Sequence, residues 1–333
     1  MTGTSQSFAA PPASVGDLLS QALRAVRVSA GAYLNGTFTE PFGVMDPRKY
    51  GERTPMGRMR QVSVLHLVLQ GACDFETDGA RFRLETGDLV FHARPGPYRF
   101  GAGHPDRVVD AREIVRPGPI DGMWVAVHGG GGPAVRMVCG FVESADFMFA
   151  PLFGGRLPSV IVEPTSDDRA GALLASTASA VAEQVAQAAP GADAVLARLM
   201  ELLFVELLRR HVARLPEGSV GWLAALKDPL VARALALLHA DPAHRWTVDE
   251  IAARAGSSRT VLHERFTLLV GRPPMRYLVG WRMQLAADRL ATGDDAIARV
   301  AAAVGYESEA AFNRAFRRVT GVTPGRWREA ARG

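Results

Sequence analysis

The spacing of apolar positions changes along the chain, and each change predicts a change of structure. Between Ser14 and Val28, the residues Leu18, Leu19, Leu23 and Val26 recur at helical spacing, and Ser14 with Asp17 three residues on marks the start of a short helix. From Gly31 to about Val162 short apolar runs alternate with Gly, Pro and Asp. Val62–Leu69, Arg81–Leu84, Asp88–His92 and Met123–His128 read as strands, and Asp78-Gly79 is a two-residue hairpin turn. Many short strands at this spacing predict a barrel or sandwich. From Asp168 onward the chain is helical. Ala194–His211 carries one stripe of Leu196, Leu199, Leu203 and Leu207 and a second of Val195, Leu202, Val205 and Leu208. Two apolar faces call for two packing partners, either the barrel and a second subunit or two elements of one monomer. Gly218–Gly221 reads as a hinge. The expected division is a disordered tail at 1–13, a strand-rich domain at 14–165, a helical dimerisation or linker region at 166–220, and a last domain at 221–333.

The last domain repeats itself. Ile251-Ala252-Ala253-Arg254-Ala255-Gly256 returns as Val300-Ala301-Ala302-Ala303-Val304-Gly305. With one residue inserted, Leu262 matches Phe312, Phe266 matches Phe316, Gly271 matches Gly321, Pro274 matches Pro324 and Tyr277 matches Trp327. A period of about 50 residues is one supersecondary unit made twice. Each copy reads as a helix-turn-helix. In the first, Thr247 caps a helix and forms a capping box with Glu250, Gly256 supplies the turn, and Ser258 caps a second helix held by Val261, Leu262 and Phe266. In the second, Ile297, Val300 and Ala301 precede Gly305, and Ser308 caps a helix held by Ala311, Phe312 and Phe316. A helix at Met275–Ala291, with Leu278, Trp281 and Leu285 inward, joins the copies. At about 25 Å it is long enough to set two recognition helices into successive major grooves of one DNA face.

Charge agrees with a polyanion partner. The chain carries +4, but from Gly221 onward 17 Lys and Arg face 11 Asp and Glu, leaving the rest at −2. No apolar stretch is long enough to span a membrane, and the start lacks the basic-then-apolar pattern of a signal peptide, so a cytoplasmic protein is expected. Cys73 and Cys139 sit in apolar strand context, as buried thiols or as a redox pair. With no Cys-x-x-Cys pattern, zinc is not expected.

The stretch from Thr247 to Arg328 resembles the DNA-binding domain of AraC/XylS-type transcription regulators. The matching segments are Gly256-Ser257-Ser258-Arg259-Thr260, Gly271-Arg272-Pro273-Pro274-Met275-Arg276-Tyr277-Leu278 and Val304-Gly305-Tyr306-Glu307-Ser308. The last is Phe312-Asn313-Arg314-Ala315-Phe316-Arg317-Arg318-Val319-Thr320-Gly321-Val322-Thr323-Pro324. By that resemblance the base-reading positions fall on Arg259, Thr260, His263 and Glu264 in the first unit, and on Glu309, Ala310, Asn313 and Arg314 in the second. Arg suits guanine and Asn suits adenine. Glu264 either accepts from cytosine or pairs with a nearby Arg. Ser258, Ser308, Arg317 and Arg318 are candidates for phosphate contacts.

The strand-rich half resembles a cupin barrel in His66-Leu67-Val68-Leu69-Gln70-Gly71 and Leu84-Glu85-Thr86-Gly87-Asp88-Leu89-Val90. Cys139-Gly140 and Leu157-Pro158 look like motifs of AraC relatives that carry such a domain. The expected fold class is therefore α+β: an N-terminal cupin-like β-barrel with flanking helices, and a C-terminal all-α domain of two helix-turn-helix units joined by a long helix. Metal-binding cupins place two histidines one residue apart. Here His66, His92, His104 and His128 form no such pair, and Tyr98-Arg99 stands where the pair would be, so neither metal, cofactor nor catalysis is expected. His66 shares a strand face with Val62, Val64 and Val68, as a core histidine or an effector ligand. The resemblance implies a DNA-binding activator controlled by a small-molecule effector in the barrel, working as a homodimer and touching RNA polymerase. The alternatives are a repressor, an effector-independent DNA-binding protein, or a metal-dependent cupin enzyme with a DNA-binding anchor.

Overall fold

A computed structural model describes residues 15–25, 29–47, 62–93, 96–143, 160–164 and 172–332. The Ser14 cap, the tail at 1–13 and Leu157-Pro158 lie outside them. The chain forms two compact units. One holds the strands β1 to β12 together with the helices α2, α3 and α4. The other joins α1 (Val15–Ala25) to the helices after residue 217. Of the stretch expected as a dimerisation or linker region, residues 172–216 group with the strands, while α1 packs on the C-terminal helices α6 (Pro229–Ala240) and α9 (Pro274–Thr292) through buried Leu18, Leu19 and Ala22.

The barrel unit has two sheets. The first contains β1 (Ser29–Thr39), β3 (Val62–Gln70), β6 (Asp88–His92), β9 (Val115–Pro117), β10 (Trp124–Gly129), β11 (Ala134–Glu143) and β12 (Val160–Pro164), in the order β12-β6-β3-β11-β1-β10-β9. The second contains β2 (Phe42–Asp46), β4 (Cys73–Thr77), β5 (Ala80–Leu84), β7 (Tyr98–Ala102) and β8 (Val109–Asp110), ordered β5-β4-β7-β2-β8. Between β8 and β9 the chain makes the single helical turn α2 (Ala111–Ile114). Asp78 and Gly79 take φ of 50° and 76° between Thr77 and Ala80, which are paired partners, so the hairpin turn lies where Asp-Gly predicts it. The inward faces share one core, with Phe38, Val64, Val68 and Met137 from one sheet and Phe42, Phe75, Tyr98 and Phe100 from the other. Cys73 and Cys139 are free thiols in this core, and burial pushes Cys73 up to about 12 and raises Cys139 as well. Both are unreactive as nucleophiles there.

The other face of the first sheet is covered by α3 (Ala172–Gln187) and α4 (Ala192–Arg214). This explains why Leu65 and Leu67 on β3 are as buried as Val64 and Val68. Phe204 of α4 packs on Phe91 at 5.3 Å, and Gly140 leaves the room that the Met200 methyl occupies. The first predicted stripe of α4 is buried at Leu196, Leu203 and Leu207, while the second is split, with Leu208 buried and Val195 and Leu202 exposed. Glu163 of β12, buried, faces Arg210 at 3.5 Å and Arg214 at 2.7 Å, tying α4 to the sheet edge.

In the C-terminal unit, α5 (Trp222–Ala225) and α6 precede the two repeats. Gly221, expected in a hinge, donates to the Leu269 carbonyl at 3.0 Å. The core here includes a histidine that the sequence did not single out. His239 of α6 stacks on Trp281 of α9 at 3.9 Å, and its Nε2 lies 2.7 Å from the Tyr277 hydroxyl, which accepts from Trp222 Nε1. Its Nδ1 is buried with no partner among the described residues, so a proton there finds no acceptor. Burial lowers its pKa to about 3. The unfolded chain therefore binds this proton at pH values where the folded chain does not. The stability contributed is full above pH ~6.5 and is lost as pH falls toward 3, at up to about 1.4 kcal/mol per pH unit. Urea titrations between pH 7 and pH 4 should show this slope, and His239→Gln should flatten it.

Candidate nucleic-acid interface

The first helix-turn-helix consists of α7 (Val248–Ala255) and α8 (Arg259–Val270). Thr247 caps α7 by accepting from Glu250 N at 3.1 Å. The expected reciprocal half of the capping box is replaced. The Glu250 carboxylate is held by His244 at 3.0 Å and Arg254 at 2.9 Å. Gly256 adopts φ 78°, ψ 40°, and its N–H closes α7 onto the Ala252 and Ala253 carbonyls. Ser258 caps α8 through Val261 N. The second copy is α10 (Ile297–Ala303) and α11 (Glu309–Thr320), with Gly305 at φ 82° in the turn and Ser308 capping α11 through Ala311 N. Both units end alike. Gly271 and Gly321 close α8 and α11 in left-handed conformation, and Pro274 and Pro324 open α9 and α12 (Pro324–Arg332). Tyr277 meets Phe266 edge-on at 5.7 Å, and Trp327 meets Phe316 at 5.9 Å. The pairs deduced from the repeat thus make equivalent contacts.

The outward faces carry the candidate residues. On α8, Arg259, Thr260, His263 and Glu264 are all exposed. Arg259 pairs with Asp249 at 3.3 Å, whereas Glu264 has no ion pair among the described residues. Val261, expected in the core beside Leu262 and Phe266, is 49% exposed and joins the outer face. The core positions of this helix are Leu262, Phe266, Leu269 and Val270. On α11, Glu309, Ala310, Arg314, Arg317 and Arg318 are exposed. Among the described residues none of these three arginines has an ion-pair partner. Asn313 is half-buried, with Oδ1 shielded and unpartnered, so presenting both amide atoms to a base requires its side chain to rotate. Ser258 and Ser308 spend an oxygen lone pair on their caps and keep a hydroxyl proton to donate.

The two copies are also braced against each other, which sequence reasoning did not find. Arg282 of α9 donates to the Pro242 carbonyl at 2.6 Å and to the His244 carbonyl at 2.8 Å. That loop, which leads into the first unit, lies against the turn of the second. A Cβ on Gly305 would come within 2.5 Å of the Ala243 oxygen and 2.9 Å of its Cα. Arg245 pairs with Glu307 across the same junction. The only hint in the sequence was an arginine beside the inward Trp281. Replacing Arg282 with Met keeps the stem and removes the donors. The expected result is a loss of about 2 kcal/mol in urea denaturation, since the loop carbonyls lose charge-assisted partners.

The barrel unit holds a cavity of about 270 Å³, lined largely by apolar and aromatic groups. His66 is fully buried on its wall, edge-on to Phe100 at 4.8 Å and Tyr98 at 5.2 Å. At its polar end Tyr98 Oη donates to Asp46 Oδ2 at 2.6 Å, with Tyr33 Oη 3.4 Å away. Arg99, where a metal-binding cupin would place part of its histidine pair, instead pairs with Glu76 at 2.6 Å. Among the described residues no group of three or more His, Cys, Asp or Glu is placed to hold a metal.

Comparison with known proteins places both halves. A family model described as a cupin matches residues 17–213, and one described as a helix-turn-helix domain matches residues 251–330. A protein of Streptomyces antibioticus named as an AraC-like transcription regulator is 34% identical over 278 residues, covering 81% of this chain and 88% of the relative. One of Streptomyces lividans with the same name is 35% identical, covering 81% and 87%. Among solved structures, the DNA-binding domain of AdpA in complex with a target DNA is 34% identical. It covers 31% of this chain and 93% of that one, with a TM-score of 0.30. Like its relatives, the chain is a regulator and not an enzyme. It belongs to the AraC family of DNA-binding transcription regulators, with a cupin domain at its N-terminal side.

Proposed function

We propose that α8 and α11 enter successive major grooves of one operator and that the barrel cavity holds a small-molecule effector that sets operator affinity. The observation that carries the DNA reading is the face of α11, where Arg314, Arg317 and Arg318 stand exposed with no internal ion pair among the described residues. Arg314, Asn313, Glu309 and Ala310 on α11, with Arg259, Thr260, His263 and Glu264 on α8, face the bases. Arg317, Arg318, Ser258 and Ser308 face phosphates. Arg314→Ala should cost about 1–3 kcal/mol at one base position and relax specificity there. Arg318→Ala should weaken all sequences alike and lower the salt slope by about one. Binding titrations on an operator and its single-base variants separate these outcomes.

The effector acts only if it binds one state of the chain better than the other. The supporting observation is an apolar cavity with one polar end, the usual form of a small-molecule site. The regulator is read as an activator that touches RNA polymerase in the cytoplasm, with repression as the second reading. It works as a homodimer through exposed Val195 and Leu202 on α4. No helix among the described residues is long and apolar enough to cross a membrane. Transcription in vitro with operator, polymerase and chain decides the sign: more transcript supports activation, and less overturns it.

A further inference from the structure

The two recognition helices are copies of one pattern, yet their outer faces carry different chemistry. At the repeat offset of 50 residues, Arg314, Arg317 and Arg318 of α11 correspond to Glu264, Thr267 and Leu268 of α8. An acidic, a neutral polar and an apolar side chain thus stand on the first copy where the second has three arginines. The two arginines that α8 does carry are already paired, Arg259 with Asp249 and Arg265 with Asp228. What α8 exposes at the centre of its outer face is apolar. Val261 is 49% and Leu268 61% exposed. Seven residues apart, they lie on one stripe two turns long, about 10 Å, with Glu264 between them. The stripe runs beside exposed Thr260, on the face turned away from buried Leu262, Phe266 and Leu269.

A base edge offers Val261 a partner. The C5-methyl of thymine is the apolar group that the major groove displays, and an aliphatic side chain reads it by contact. Val261 is β-branched, so in a helix its methyls are held in one rotamer before any DNA arrives. It also sits in the first turn of α8, and the N-terminal residues of a recognition helix are those that meet base edges. Leu268, two turns later, falls toward the sugar-phosphate rim, where an aliphatic side chain has no charge to give.

We propose that the two halves of the operator are held by different forces. The half under α11 is held by charge. The half under α8 is read by apolar contact, with Val261 against a thymine methyl. At Leu268 the first copy forgoes the phosphate contact that Arg318 makes in the second. This rests on the reading that α8 and α11 enter successive grooves.

The test uses the full chain and a duplex that it selects from a random-sequence pool. Footprints with Arg314→Ala assign one half to α11, which leaves the other to α8. Deoxyuridine then replaces each thymine of the α8 half in turn, removing one methyl and leaving every hydrogen-bonding group in place. At one position the affinity should fall about fourfold, the worth of one buried methyl. Val261→Ala should cost a similar factor on the thymine duplex and little on the uracil duplex, because the two changes remove the same contact. Leu268→Arg should tighten binding to every duplex and steepen the salt dependence by about one phosphate. This gain covers the case in which Val261→Ala disturbs the fold. An α8 half selected without thymine overturns the proposal, as does one that tolerates uracil everywhere. So does a Val261→Ala loss that is equal on both duplexes. Leu268→Arg with affinity and salt slope unchanged also overturns it, and leaves the stripe to a protein partner. A footprint confined to one groove overturns the two-groove reading itself, whereas two protected grooves with no response to uracil overturn this inference alone.

Discussion

Gly305→Ala should destabilise the C-terminal unit by about 3 kcal/mol, from left-handed strain of roughly 1–2 kcal/mol plus steric overlap of similar size. Gly256→Ala, at the equivalent turn of the other copy, should cost only the strain. Both glycines have positive φ, 82° and 78°. The difference is what surrounds them. A Cβ at Gly305 meets the backbone of Ala243, which cannot step aside without moving the loop that Arg282 holds. A Cβ at Gly256 has only the tip of the Arg233 side chain at 3.9 Å. Urea denaturation of the two variants measures the gap. Equal losses would remove Ala243 from the explanation. Since this contact braces one helix-turn-helix on the other, Gly305→Ala should also weaken binding to a full operator more than Gly256→Ala does.

Glu163→Leu should cost the barrel unit about 3 kcal/mol, because it takes a buried carboxylate away from the guanidinium groups of Arg210 and Arg214. The pair is expensive to bury, so its removal as a whole should be mild. Glu163→Leu combined with Arg210→Met should recover most of the loss. Thermal denaturation of the single and double variants checks both statements. A double variant as unstable as the single would mean that the loss comes from packing and not from the broken ion pair.

The features that could be read from the sequence were those in which one residue type has one local use. Asp78-Gly79 made its hairpin, Thr247, Ser258 and Ser308 made their caps, and Gly256 made its turn, because each requirement is met within a few residues of chain. The internal repeat carried this further, since two copies of one pattern predict two copies of one contact, as in Phe266 with Tyr277 and Phe316 with Trp327. What could not be read depends on distant partners. Glu250 had the spacing for a capping box, but His244 and Arg254 claim its carboxylate. Val261 had the character of a core residue, but the 3.6-residue turn puts it beside His263 and Glu264 on the outer face. The two apolar stripes on α4 left its partners open, because nothing local states that Gly140 and Phe91 await Met200 and Phe204. The cavity was equally hidden. Tyr33, Asp46 and Tyr98 lie on three strands, and only the closure of the two sheets brings their polar atoms together.

The central claim is that one chain presents two braced recognition helices to one face of DNA. Hydroxyl-radical and methylation-interference footprints of the full chain, at one chain per duplex, test it most directly. The account predicts two protected major-groove segments about one helical turn apart, roughly 10 base pairs between centres. It also predicts that Arg314→Ala removes contacts in one segment only. A single protected groove per chain, or loss of both segments together in Arg314→Ala, would contradict it.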